Sequence, residues 1–267
     1  MKCPSCNALV SSNDQRCPHC GALLGGGSVD PQAMKAVTNT GIVLGKKARE
    51  ARMKAVVDPN EIISDRAYNL AIVAVLLWGM LVNYLLCRFI GTAIFTIKPV
   101  ILLIGYLVLA LAGIIIAAKS HKPLISFLGY NLVVIPFGLV ICLMVEAYGG
   151  INSAVVTNAF LYTLLISVGM MACVMIAPNF FAKLGGALGA VLAGLILCEV
   201  VLLIFGVRQS VTDWIAAGLF SLYIGYDIYR SQQFPKTLDN AVDSALDIYM
   251  DIANLFIRLL EILGKKD

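Results

Sequence analysis

Seven apolar runs, separated by short polar breaks, decide most of what this chain can become. They lie near 68–89, 100–118, 124–145, 154–177, 184–207, 211–229 and 241–263. The hydrocarbon layer of a bilayer is about 30 Å thick, and about 20 apolar residues cross it as a helix. An unsatisfied backbone amide in lipid costs several kcal/mol, so such runs form helices and not irregular chain. Charged residues are only 13% of the 267, and apolar residues are 60%. A soluble domain carries about a quarter charged residues, so most of this chain must be solvated by lipid. The expected fold class is an all-α membrane protein, a seven-helix transmembrane bundle over 66–267 in contact with the lipid bilayer.

Two smaller regions precede the bundle. Residues 1–24 hold Cys3-x-x-Cys6 and Cys17-x-x-Cys20, two pairs ten residues apart. Paired C-x-x-C turns present four thiolates to a tetrahedral metal, so these cysteines are the expected ligands of a structural zinc ribbon. A segment this short cannot fold on apolar burial alone, and the zinc would supply its folding energy. His19 reads as a spacer, since four cysteines already fill the site. Residues 25–65 form a linker. It opens with GGGSVDPQ and has the makings of a basic amphipathic helix over 33–57, with Lys46, Lys47, Arg49, Arg52 and Lys54. The ribbon itself carries only Lys2 and Arg16, so no nucleic-acid partner is expected. A cytosolic protein partner is the alternative. Cys87, Cys142, Cys173 and Cys198 sit within apolar runs and read as small apolar residues.

Charge distribution suggests the orientation. Seven Lys or Arg lie between Ala33 and Arg66, which places the N-terminus in the cytoplasm by the positive-inside rule. Thiolate ligands need a reducing compartment, which points the same way. Seven crossings would then put the C-terminus outside, whereas Lys265 and Lys266 favour the inside. A last segment that re-enters without crossing would reconcile the two, and the sequence leaves both arrangements open.

The polar residues within the apolar part are few. In NAVDSALDIYMDIANLFIRLLEILG, the residues Asp243, Asp247, Asp251, Asn254, Arg258 and Glu261 fall within an arc of about 80° at helical spacing. Such a helix cannot face lipid all round, so it should be central. Intramembrane carboxylates are costly and mark ion or proton paths. Asp227 ends the preceding run in GYDIYR, and the short connection places it near this stripe. Asp243 reads first as a dipole-stabilised residue near a helix N-terminus. Glu199, within LILCEVVLLIF, reads equally as a relay residue and as an interfacial residue that snorkels. Small residues Gly185, Gly189, Ala190 and Ala193 suggest close helix packing. No nucleophile with a base and no histidine-based metal cluster appears in the runs, so no enzyme activity is expected.

The motifs GYDIYR (225–230) and ALDIYMDIANLFIRLLEILG (245–264) resemble the Bax inhibitor-1-like family, also called transmembrane Bax inhibitor motif proteins. The resemblance is specific over the C-terminal third and rests on span number and order over 66–224. It implies a seven-helix bundle with the last helix in the centre and a pH-sensitive calcium leak gated by an aspartate pair. Those aspartates map onto Asp227 and Asp251, and the basic residue that latches them maps onto Lys119. Asp247 departs from the family pattern and adds a third acid. Calcium and protons are thus the expected transported or sensed species. A membrane-anchored scaffold or stress regulator, whose ribbon binds a cytosolic partner, is the competing expectation.

Overall fold

The computed structural model describes residues 52–54, 57–205 and 210–264. The ribbon at 1–24, with Cys3, Cys6, Cys17 and Cys20, lies outside them, as do residues 25–51, 55 and 56 of the linker and so most of the expected basic helix. Eight α-helices run from Asp65 to Gly264: α1 (Asp65–Ile90), α2 (Pro99–Lys119), α3 (Pro123–Ala147), α4 (Ala154–Ile176), α5 (Pro178–Ala182), α6 (Gly185–Ile204), α7 (Ser210–Ser231) and α8 (Leu238–Gly264). Short 3-10 turns at Pro59–Glu61 and Gly91–Thr96 flank α1. No strand occurs among the described residues. Seven of the helices coincide with the seven apolar runs. The five-residue α5 is an addition that fills the break before α6.

Local chemistry sets the ends. Ser64 caps α1 by accepting from the Ala67 amide at 3.2 Å, and Ser153 caps α4 in the same way through Val156. Proline opens α2, α3 and α5 at the position where its missing N–H costs nothing. Gly91 ends α1 with φ of 47°, a backbone that a side chain would strain. Pro136 lies inside α3 and is buried there among neighbouring helices.

Three stretches are long and apolar enough to cross a bilayer: Asp65–Thr96, Pro123–Ala147 and Ala154–Ile176. Ile104–Ala117 and Gly185–Glu199 are shorter apolar helical stretches. Polarity runs opposite to that of a soluble protein. Large apolar side chains such as Leu77, Leu165, Ile176 and Leu197 are exposed, as lipid contact requires. By contrast, every residue of α8 from Asp239 to Tyr249 is buried. This helix packs against α1, α3, α4 and α7, the central position its polar stripe demands. Its 27 residues extend about 40 Å at 1.5 Å per residue.

The tightest helix approach is not where small residues cluster in α6. Among the described residues, nothing lies within 4 Å of where Gly186, Gly189 or Gly194 would carry a Cβ. The close crossing is α2 on α3. A Cβ on Gly113 would sit 2.5 Å from the Gly129 carbonyl oxygen, and one on Gly129 would sit 2.6 Å from the Gly113 oxygen. Of the small residues expected to allow close packing, Gly185 does, since a Cβ there would meet the Tyr226 ring and hydroxyl of α7, whereas Gly189 has open space, because small side chains permit an approach without requiring one.

Candidate functional site, a row of buried acids on the last helix

Four aspartates recur every fourth residue along α8: Asp239, Asp243, Asp247 and Asp251. They are 5%, 1%, 7% and 7% exposed. Residues four apart lie on one helix face, so the row forms a shallow spiral. Buried charges of one sign are untenable unless opposite charges accompany them. Two arginines from distant places in the chain, Arg52 and Arg230, pair with Asp239, Asp243 and Asp247.

At the Leu238 end, Arg52 reaches two of the acids. Its Nη1 donates to Asp239 Oδ2 at 2.7 Å, its Nη2 pairs with Asp243 Oδ2, and Nη1 also donates to the Ser120 carbonyl. Ser126 Oγ donates to the other Asp239 oxygen. Asn240 holds the same segment by donating to the Met53 carbonyl at 3.1 Å, and Met53 is 1% exposed. A cavity of about 250 Å³ opens beside Asp239, with Glu61 and His121 in its wall.

One turn further along, Arg230 of α7 joins the two last helices. Nη2 lies 2.7 Å from Asp247 Oδ2 and Nη1 lies 3.5 Å from Asp227 Oδ1. The guanidinium also stands 5.8 Å from the Tyr226 ring centre and 5.6 Å from that of Phe234. Asp227 is 3% exposed. In the loop between α7 and α8, the Lys236 ammonium sits 4.6 Å over the Tyr68 ring. Burial pulls the Lys236 pKa below the usual lysine value, and the nearby Asp65 charge opposes that pull.

Beside the acidic row, the middle of the bundle holds neutral polar groups. Asn83 Nδ2 donates to Tyr249 Oη at 2.8 Å, and that hydroxyl donates to Asn83 Oδ1 at 3.1 Å. Tyr130 donates to the Val75 carbonyl at 2.9 Å. Toward the Gly264 end, Arg258 binds Glu199 at 2.8 Å, Asp213 at 3.0 Å and Glu261 at 3.4 Å. On the same side of α3, a cavity of about 520 Å³ has Arg88 and Glu146 in its wall.

Of the sequence-derived residues, Asp227, Asp247 and Asp251 lie at this row, whereas Glu199 and Lys119 lie apart from it. Asp227 and Asp247 share Arg230, and Asp251 is buried one turn beyond Asp247. Glu199 is held by Arg258 and is not a lone snorkelling acid. Lys119 does not latch the aspartates. It ends α2 with an exposed side chain and forms no ion pair among the described residues. Arg230 stands where that basic partner was expected. Three participants were not singled out from sequence. Arg52 reads from sequence as one charge of a basic helix, Asp239 lies just before the expected start of the last helix, and Asp213 sits in a first turn where an acid is ordinary. No three His, Cys, Asp or Glu side chains converge as a metal centre among the described residues.

Residues 62–267 match the sequence model of the family described as Inhibitor of apoptosis-promoting Bax1. Uncharacterized proteins from two strains of Helicobacter pylori are 36% identical over 89 residues. That match covers 32% of this chain and 37% of each relative, so the chain spans little more than a third of their length. The family match covers most of the chain, including every helix described above and the whole acidic row. The chain is an integral membrane protein of the Bax inhibitor-1-like family.

Proposed function

We propose that this protein is a pH-sensitive calcium leak whose path is controlled by Asp227, Asp247 and Asp251. The observation that carries the reading is a group of buried carboxylates on adjacent helices. Asp227, Asp247 and Asp251 are 3%, 7% and 7% exposed, and Asp227 and Asp247 share Arg230. Such oxygens can take up a divalent cation or protons. The two compete for the same oxygens, which makes calcium passage pH-dependent. Calcium accepts several carboxylate and carbonyl oxygens in a flexible shell. Arg230 serves as the latch in this reading, in place of Lys119. The neutral groups of Asn83, Tyr130 and Tyr249 narrow the bundle beside these acids, and the paired Glu199 would act toward the Gly264 end as a relay.

The rest of the reading follows from the sequence. Seven helices cross the bilayer, the N-terminus is cytoplasmic, and the bundle performs no covalent chemistry. Cys3, Cys6, Cys17 and Cys20 hold a structural zinc whose ribbon recruits a cytosolic protein. Metal analysis of the purified chain should return one zinc, and a zinc-free folded ribbon would remove that part. Calcium uptake into liposomes tests the leak. Wild type should pass calcium faster as pH rises, and Asp251→Asn should lose most of that pH dependence. Equal flux from both proteins at every pH would end the proposal.

A further inference from the structure

We propose that Asp239 and Asp243 form a second site for a divalent cation, and that the Arg52 guanidinium is its built-in occupant. The inference rests on the reading of the bundle as a cation path and adds a plug to the path's Leu238 end. Arg52 belongs to the same compact unit as the helices, Gly45–Asp267. It comes from the segment before α1, where Arg52 and Met53 are themselves helical. Its head is buried, 7% exposed, in contact with both acids.

The fit of charge is incomplete. One guanidinium faces two carboxylates that lie one helical turn apart, so the site keeps a net negative charge. Asp243 is 1% exposed, and its Oδ1 has no hydrogen-bond partner among the described residues. A buried carboxylate oxygen left in that state is an expensive feature, and a doubly charged ion would satisfy it. The donor set suits a hard cation. Two carboxylates and the Ser120 carbonyl converge where the guanidinium sits, and the Ser126 hydroxyl braces Asp239 through its other oxygen. All are oxygen donors, as calcium-class ions require, and the remaining positions can be taken by water. The cavity of about 250 Å³ reaches Asp239 and carries the further carboxylate of Glu61 in its wall. It provides both the water and the way in. A divalent ion that displaces Arg52 exchanges one positive charge for two, and the released guanidinium returns to water, where it is well solvated. The tether makes the plug a competitor of fixed and high local concentration, so cations bind here only when they outcompete it.

The test uses the full-length protein in detergent and Mn2+ as the probe, with binding read by electron paramagnetic resonance. Arg52→Ala should bind Mn2+ about tenfold more tightly than wild type, the factor by which a site open a tenth of the time is masked. Adding Asp243→Asn to that variant should abolish the gain. Arg52→Lys keeps the charge but loses the fork and should fall between the two. It also serves if the alanine variant does not fold. Unchanged Mn2+ affinity in both Arg52 variants, or a gain that survives Asp243→Asn, would overturn the site. Calcium flux through the same proteins separates the two proposals. Asp243-dependent binding without flux keeps the site and removes the leak. Flux without Asp243-dependent binding keeps the leak and removes the site.

Discussion

Helices α6 and α8 are built on opposite plans, and the contrast explains how this protein is held together. α6 is almost wholly apolar, yet Val191, Ile196 and Leu197 are 50%, 51% and 68% exposed. α8 carries an aspartate on every turn of its first half, yet those aspartates are 7% exposed or less. In water the first helix would be the core and the second the surface. In lipid the order inverts. Apolar side chains gain little by leaving hydrocarbon for protein, whereas a charge gains much by leaving hydrocarbon for a partner. The electrostatic pairs along α8 therefore take over the organising task that apolar burial performs in a soluble domain.

The sharpest way to break this comparison is to remove one cation from α8's surroundings. Arg230→Met leaves Asp227 and Asp247 buried without their shared guanidinium. Removing one partner of a buried pair costs about 3–5 kcal/mol, and thermal unfolding in detergent should show a loss of that size. Adding Asp247→Asn should return part of it, since fewer charges are then stranded. Leu197→Ala on α6 is the matched control. That side chain faces lipid in the folded bundle and in the dissociated helix alike, so its change should stay within about 0.5 kcal/mol. A Leu197→Ala loss as large as that of Arg230→Met would show that the inverted plan is wrong.

The two helices also differ in how far sequence could reveal their surroundings. Runs of apolar residues located α6 and α8 because length and hydropathy are local properties. The acidic stripe on α8 was equally visible, since helical spacing alone puts Asp243, Asp247 and Asp251 on one face. The partners of that stripe were less visible, in proportion to their distance along the chain. Arg230 is three residues from Asp227, a spacing at which helical side chains meet, and its pairing lay within reach of the GYDIYR motif. Arg52 contacts Asp239 across 187 residues, and nothing periodic announces such a contact. The family resemblance places the latch at Lys119, at the end of α2. Analogy fixes the position along an axis but not which way a side chain turns, and Lys119 turns outward. Asp239 was lost to a helix that begins three residues earlier than its apolar pattern, because the first turn is polar and capped by its neighbours.

A smaller effect sharpens the comparison from the side of packing. If charge pairing organises α8 while α6 mainly fills the lipid-facing layer, glycines in the two kinds of environment should respond oppositely to an added methyl group. Gly113 belongs to the close crossing of α2 and α3, beside the helices that enclose α8. An alanine there would set its Cβ 2.5 Å from a backbone carbonyl oxygen. No rotamer relieves a contact with backbone, so the helices must separate, at a cost of about 1–3 kcal/mol by analogy with overpacked cores. Gly189 on α6 has nothing within 4 Å of its Cβ position among the described residues. Alanine there meets no obstacle and gains up to about 1 kcal/mol of helix propensity. Thermal unfolding of Gly113→Ala should therefore move down and that of Gly189→Ala should hold or move up. If Gly189→Ala proved as damaging as Gly113→Ala, α6 would have a tightly packed protein neighbour at that face, and its description as a lipid-facing layer would fail.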